Sequence, residues 1–331
     1  MPEPEPYSRL AVLGAGAWGT ALALTLLAAG RDTILWVRED DVLASIRIAR
    51  QNPFLPGIAL PENLKATGDL AQAAKAEALL LAVPAQMLGD FTRKLAPHLK
   101  PGTVLVICAK GIEKDTGKLV HEVAGAAARS ASIAILSGPS FARDVAKGLP
   151  TAVTIAAKHD AARLQASLST PVFRPYASDD VTGVALGGAA KNVYAIACGV
   201  VEGMGLGENA RAALLARSFA ELARLGEALG AKRETLMGLS GLGDLVLSAT
   251  SPSSRNFSFG QGLGQGKTVA ELNAPNAPLA EGVATAPALV KRARQAGVEL
   301  PIAEAMADLI GGALPLSDAL ARLMSRRLRV E

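Results

Sequence analysis

Three groups of residues have the types and spacing to do chemistry. Lys191 stands in "GGAAKNVYAIACG", a stretch of mostly small apolar residues that reads as helix. Such a helix buries much of a lysine stem, and desolvation lowers the ammonium pKa toward neutrality. A lysine tuned in this way can protonate the alkoxide that forms when hydride reaches a carbonyl carbon. The same pattern also suits a lysine that snorkels to the surface. The second group lies in "LSGLGDLVLSATSPSSRN". Asp244 follows a glycine turn, and Ser254, Arg255 and Asn256 gather hydroxyl, guanidinium and amide donors in one loop. Arginine forks onto phosphate oxygens while the other two complete a ring of hydrogen bonds. A polar turn with Asn256 bonded to local backbone is the alternative.

The third group is Gly14, Gly16 and Gly19 in "LAVLGAGAWGTALALTLLAAG". An apolar strand, a G-x-G-x-x-G turn and an Ala/Leu-rich helix follow in that order. The first glycine permits the tight turn, the second lets backbone approach a pyrophosphate, and the third lets helix pack on strand. The helix N-terminus then faces the phosphates. A ligand-free strand-to-helix turn has the same pattern. A second cluster, "GQGLGQG" at Gly260 to Gly266, has no strand before it. Leu10 to Gly30 carries no charge, so it could also pass for a signal or membrane segment. Its flank "MPEPEPYSR" has two glutamates and three prolines where a signal needs positive charge, and reads as a disordered tail over residues 1–8.

Positioning these groups requires an α/β sheet followed by helices. "DTILWV", "EALLLAV", "GTVLVICA" and "SIAILSGPS" are short apolar runs suited to buried parallel strands, separated by helical segments such as "REDDVLASIRIARQN", "AQMLGDFTRKLAPHL" and "GKLVHEVAGAAARS". "TAVTIAA" and "VFRPYAS" extend the sheet, with "LPTAV" beginning an antiparallel edge. From Asp179 the texture turns helical, through "ENARAALLARSFAELARLGEALG", "APALVKRARQAG" and "LSDALARLMSRRL", the last capped by Ser317. The expected architecture is a Rossmann-type, doubly wound, mainly parallel sheet over residues 9–178 and an all-helical substrate and catalytic domain over 179–331.

At 331 residues, 50% hydrophobic, 19% charged and net +4, the chain has ample core material and no charge pattern that calls for nucleic acid. Aromatic residues at 4% supply no stacking platform for bases. Cys108 and Cys198 sit in apolar contexts as free thiols, and His98, His121 and His159 are isolated in sequence, so neither a metal cluster nor a nucleophilic triad is indicated. The cytoplasm is the default location, with no membrane insertion, and a homodimer the default assembly. The corner after the second strand reads "WVRED". Arg38 there would favour NADP through its 2′-phosphate, while Glu39 and Asp40 beside it keep NAD open.

The blocks "GAGAWGTALA", "NPFLPG", "AVPAQ", "AKGIE", "GPSFARDVAKGLPTAV", "AAKNVYAIACGVVEGMGLGENARAAL", "LSGLGDLVLSATSPSSRN" and "AEGVATAPA" together resemble bacterial NAD(P)-dependent glycerol-3-phosphate dehydrogenase, from about Leu10 to beyond Pro287. The resemblance implies an oxidoreductase that reversibly reduces dihydroxyacetone phosphate to sn-glycerol 3-phosphate for glycerophospholipid synthesis. It also implies a helical domain like the C-terminal part of 6-phosphogluconate dehydrogenase. Lys191 falls on the family's general acid/base. Lys110, Gly138, Ser140, Lys191, Asp244, Ser254, Arg255 and Asn256 match its substrate positions. The glycine turn with Ala17, Trp18, Arg38, Lys110, Ala142, Arg255, Leu279 and Glu281 matches its cofactor positions. Ala17 departs from an expected serine or threonine, removing a hydroxyl from the pyrophosphate side, and Ala190 replaces a larger apolar residue. A reductase of the same build acting on a β-hydroxy acid or ketoacid, and a dinucleotide-binding regulator without turnover, are the rival readings.

Overall fold

A computed structural model describes residues 4–274 and 277–319. The chain divides into two compact units, one of residues 1–109 and 120–185 and one of residues 110–119 and 186–331. The sequence-based boundary fell at residue 178/179. The division differs because Lys110–Leu119 clusters with the helical unit and the long helix begun at Val181 continues into it.

The first unit runs β1 (Arg9–Leu13), α1 (Ala17–Ala28), β2 (Asp32–Trp36), α2 (Asp40–Ala44), β3 (Lys65–Thr67), α3 (Leu70–Ala73), β4 (Ala78–Leu81), α4 (Leu88–Leu95), β5 (Val104–Ile107), α5 (Val120–Ala127), β6 (Ser132–Ser137), α6 (Ala142–Ala146), β7 (Thr151–Ala157), α7 (Ala161–Leu168) and β8 (Phe173–Ser178). The eight strands form one sheet in the order β3-β2-β1-β4-β5-β6-β7-β8. All neighbours are parallel except β6 and β7. Strands covered on both faces read as continuous apolar runs, and β4 (ALLL) and β5 (VLVI) are buried at every residue.

Three features depart from the sequence reading. The antiparallel strand β7 lies inside the sheet, and β8 is the edge, with the alternating burial of a half-exposed strand. The other edge, β3, is only three residues with little apolar character, so no period marked it. "REDDVLASIRIARQN" is a short α-helix that widens into a π-helical turn, Ser45–Ala49, and stops at Arg50 in the left-handed region.

The described part of the expected loose tail, Pro4–Ser8, is anchored. Tyr7 is 4% exposed, its N–H donates to Ser167 Oγ at 2.8 Å, and the Arg163 guanidinium stacks 3.7 Å above its ring. The apolar Leu10–Gly30 stretch is β1, the glycine turn and α1, packed in the sheet core.

The second unit contains the remainder of α8 (Val181–Gly203), then α9 (Gly207–Ala228), α10 (Arg233–Met237), α11 (Asp244–Thr250), α12 (Arg255–Gly264), α13 (Val269–Leu272), α14 (Glu281–Gln295) and α15 (Pro301–Ile310). Its described residues contain no named strand, only an isolated bridge between Ile112 and Leu119. Among the described residues α8 alone is long and apolar enough to cross a membrane, and that window is wholly buried inside the fold. The "GQGLGQG" cluster is a packing device: a Cβ on Gly260 would fall 2.0 Å from the Ile196 carbonyl oxygen, so α12 lies directly against α8. Gly230 ends α9 at a positive φ of 75° with the paired return bonds of a Schellman cap. Of the expected helix "LSDALARLMSRRL", residues 316–319 are helical and the rest lies outside the described residues.

Candidate functional site

In the first unit the chain leaves β1 through Gly14, whose φ of 113° suits glycine and whose added Cβ would lie 3.0 Å from the Ala82 carbonyl oxygen. A Cβ on Gly19 would sit 1.8 Å from the Gly14 carbonyl oxygen, so α1 can start this close to the turn only without a side chain there. Gly16 is the N-cap of α1, is exposed, and has nothing within 4 Å of where a Cβ would be. The first backbone N–H groups of a helix lack intrahelical partners and carry its positive end, so this opening suits an anion. Trp18 adds a buried indole N–H with no hydrogen-bond partner among the described residues. Open approach at Gly16, close packing at Gly14 and Gly19, and an unspent donor at Trp18 together fit a dinucleotide pyrophosphate. Ala17 contributes only a methyl beside them.

Arg38 is exposed, and its guanidinium is engaged by its neighbour: Nε donates to Glu39 Oε1 at 2.9 Å, and Nη2 contacts the same oxygen. After β6, Gly138 has a φ of 150° with Val153 pressed against it, Ser140 Oγ donates to the Gly138 carbonyl at 3.0 Å, and Ala142 opens α6.

In the second unit, residues far apart in sequence converge on one carboxylate. Lys110 Nζ donates to Asp244 Oδ2 at 2.6 Å, and Lys191 Nζ donates to Asp244 Oδ1 at 2.9 Å and to Ser248 Oγ at 2.6 Å. Asp244 is 1% exposed, and the lysine side chains are 16% and 11% exposed. Lys191 comes from α8, brought close because Gly187 lets that helix meet the Ser240 backbone. Asp244 opens α11 after a π-helical turn, Leu239–Gly243, and Ser248 lies one helical turn further on.

Burial is the largest influence on Lys191 and lowers its pKa; Asp244 raises it and Lys110 lowers it again, leaving about 8 against an ordinary 10.5. Burial alone would raise Asp244, but the two lysines overcome it and hold the carboxyl below its usual range.

Asn256 and Asn192 knit the surrounding backbone. Asn256 Nδ2 donates to Asn192 Oδ1 at 2.9 Å, its Oδ1 accepts from Gly282 N at 2.9 Å, and Asn192 Nδ2 donates to the Lys110 carbonyl at 3.2 Å. Ser254, Arg255 and Asn256, expected as a loop, instead start α12: Ser254 is the N-cap and its Oγ accepts from Phe257 N at 3.4 Å. Arg255 is exposed, while Ser254 and Asn256 are buried. Among the described residues the hydroxyl hydrogen of Ser254 and one amide hydrogen of Asn256 remain to be given, at a helix N-terminus that itself favours an anion.

Leu279 is 53% exposed, and Glu281 is the first residue of α14. The structure therefore gathers Lys110, Lys191, Asp244 and Asn256, with Ser254 and Arg255 adjoining Asn256 in sequence. Gly138, Ser140 and Ala142 belong with the glycine turn and Arg38 in the first unit. Sequence reasoning missed Ser248 and Asn192. Ser248 stands at i+4 from Asp244 in "GDLVLS", a spacing that puts both on one helix face.

A glycine-turned, mainly parallel sheet followed by an all-helical unit with a buried, carboxylate-held lysine suits the NAD(P)-dependent dehydrogenase class of oxidoreductases. Residues 9–163 match the NAD-dependent glycerol-3-phosphate dehydrogenase N-terminus family, and residues 180–321 match the C-terminus family. The chain is 53% identical over 328 residues to glycerol-3-phosphate dehydrogenase [NAD(P)+] of Parvibaculum lavamentivorans, covering 98% of each. It is similar to a crystal structure of glycerol-3-phosphate dehydrogenase from Coxiella burnetii, with a TM-score of 0.92 and 36% identity over 98% of this chain and 100% of that one. The chain belongs to the NAD-dependent glycerol-3-phosphate dehydrogenase family. The structure of a putative ketopantoate reductase from Ralstonia solanacearum shares the fold at 18% identity and a TM-score of 0.61, covering 96% of this chain and 99% of that one.

Proposed function

We propose that the chain interconverts dihydroxyacetone phosphate and sn-glycerol 3-phosphate, with Lys191 as the group that gives and takes the proton at the reacting oxygen. The observation that carries this reading is a largely buried lysine, its side chain 11% exposed, held by Asp244 and Ser248, with its pKa near 8. Bound NAD(P)H supplies the hydride to the carbonyl carbon. As the carbonyl π-bond opens, the Lys191 ammonium donates its proton to the oxygen, becomes a neutral amine and recovers a proton from solvent. Reduction therefore needs Lys191 protonated and weakens as pH rises through about 8; oxidation of the alcohol needs it neutral and strengthens over the same range.

Lys110 adds a second ammonium that stabilises negative charge on the oxygen as it forms. Arg255, the remaining donors of Ser254 and Asn256, and the α12 N-terminus hold the phosphate; Gly138 and Ser140 also belong to the substrate set. Asp244 holds both lysines. Gly14, Gly16, Ala17, Trp18, Gly19, Arg38, Lys110, Ala142, Arg255, Leu279 and Glu281 form the cofactor set. Arg38 favours NADP once its fork leaves Glu39. Supply of the product to glycerophospholipid synthesis, homodimeric assembly and a cytoplasmic location without membrane insertion belong to the same reading. Cys108 and Cys198, buried thiols not joined in a disulfide, suit that location.

The test is steady-state kinetics with dihydroxyacetone phosphate and NADPH. Lys191→Ala lowers kcat by about a hundredfold or more, while Arg255→Ala chiefly raises KM for the phosphate ester. Near-normal kcat in a folded Lys191→Ala variant would give the proton to another group.

A further inference from the structure

The block "NPFLPG" carries part of the family resemblance, yet none of its residues belongs to the proposed machinery. Asn52 in it is 2% exposed, and its side-chain amide is almost fully spent. One Nδ2 hydrogen goes to the Ala15 carbonyl at 2.8 Å and one to Thr20 Oγ1 at 2.7 Å, while Oδ1 accepts from Phe54 N at 2.9 Å. The two donors grip the glycine turn on both sides of Gly16: Ala15 precedes it, and Thr20 closes the first turn of α1 through its own N–H to the Gly16 carbonyl at 3.0 Å.

We propose that Asn52 is a positioning residue of the dinucleotide cradle, fixing the Ala15–Gly16 peptide so that the Gly16 N–H faces the pyrophosphate. The argument rests on peptide geometry. A trans peptide is planar, with its C=O and N–H pointing in opposite directions. Ala15 is buried and its carbonyl is drawn inward onto Asn52, so the Gly16 N–H is turned outward, to the side where Gly16 is exposed and a Cβ would meet nothing. Without Asn52 the carbonyl oxygen would be free to swing toward the opening, where it would repel an anion.

The approach to Asn52 is built with unusual backbone. The π-helical turn Ser45–Ala49 runs into Arg50, the sole non-glycine residue with a positive φ, 52°, among the described residues. That conformation is held by Leu60 N donating to the Arg50 carbonyl at 2.9 Å, with Arg50 Nη1 on the Leu64 carbonyl at 3.3 Å. Strained backbone persists where its surroundings over-determine it, and here it carries the chain to the cradle carbonyl. This inference rests on the reading of the glycine turn as the cofactor site.

The experiment is NADPH binding to the full chain, followed by nicotinamide fluorescence well below each variant's melting temperature. Asn52→Asp keeps the shape but removes both donors, and it weakens NADPH about tenfold or more. Adenosine 2′-monophosphate, which has no pyrophosphate, binds within twofold of wild type, as a merely destabilised fold would not allow selectively. Thr20→Val, which spares the Ala15 bond, loses about threefold or less. On the wild-type chain, titration with ADP-ribose shifts the Gly16 amide resonance, a readout that needs no variant to fold. NADPH affinity within twofold of wild type in folded Asn52→Asp, equal weakening of both ligands, or an unmoved Gly16 amide would each overturn the proposal. A wild-type chain that binds no NADPH at all would instead refute the cofactor reading beneath it.

Discussion

Asp244→Asn keeps the side-chain shape while removing the one negative charge that two ammonium groups share. In the wild type, Asp244 raises the Lys191 pKa against burial and against Lys110, and the balance stands at about 8. An opposite charge at hydrogen-bond distance is worth roughly one to three pH units to its partner. Removing it lowers the Lys191 pKa by about two pH units, the middle of that range, with Lys110 repulsion no longer offset. At pH 7 the protonated fraction then falls from about nine-tenths to about one-tenth, so reduction slows about tenfold from protonation alone.

The sign is direction-specific. The alkaline limb of kcat for dihydroxyacetone phosphate reduction moves down in pH, and the acid limb of glycerol 3-phosphate oxidation moves down with it. Oxidation near neutral pH is therefore hurt less than reduction. The assay is kcat in both directions from pH 6 to 9.5 at saturating NADPH or NADP. Breaking a buried pair also costs about 3–5 kcal/mol of stability, so melting curves at each pH must show the variant folded. A folded variant whose reduction limb stayed near pH 8 would refute the assignment of that limb to Lys191 held by Asp244.

Two further outcomes follow from other charged groups. Glu39→Gln frees the exposed Arg38 fork and tightens NADPH binding about two- to fivefold while leaving NADH unchanged; parallel changes in both dissociation constants would remove Arg38 from 2′-phosphate reading. Glu221 is raised by burial from 4.5 to about 7 although Ile302 and Ala303 N–H groups and the Tyr194 hydroxyl donate to it. Its protonated form is thus favoured in the folded state, and the Glu221 contribution to stability falls by about 3 kcal/mol as pH rises from about 4.5 to about 7. Glu221→Gln lacks that slope, which urea midpoints at pH 4.5 and 8 read directly; the same slope in both proteins would place it elsewhere.

Local pattern carried the strand–glycine–helix opening, the buried strands β4 and β5 and the long helices, because each is a run whose periodicity or composition is set by its own burial. The edge β3 was not legible since three residues hold no period, and the sheet position of β7 depends on pairing with β6 and β8 rather than on its own residues. The start of α12 was misread because Ser254, Arg255 and Asn256 are turn-forming types; only the Ser254 bond to Phe257 N distinguishes an N-cap from a loop. Tyr7 looked like part of a tail because its anchor, Arg163, is remote in sequence.

The chemistry of the lysine was visible only in part for a related reason. The small residues around Lys191 announce burial, and burial alone would strip its proton. What restores a usable pKa is the short distance from Lys191 Nζ to Asp244, 53 positions away. A second carboxylate at that point would lock the proton on, and none would lose it. One carboxylate shared with Lys110 leaves the cluster with a net positive charge of about one and a proton that Lys191 holds below about pH 8 and releases above it. That positive excess is also what a phosphate ester requires of its binding site. Asp244 therefore sets proton transfer and substrate charge together, so any substitution there should alter both.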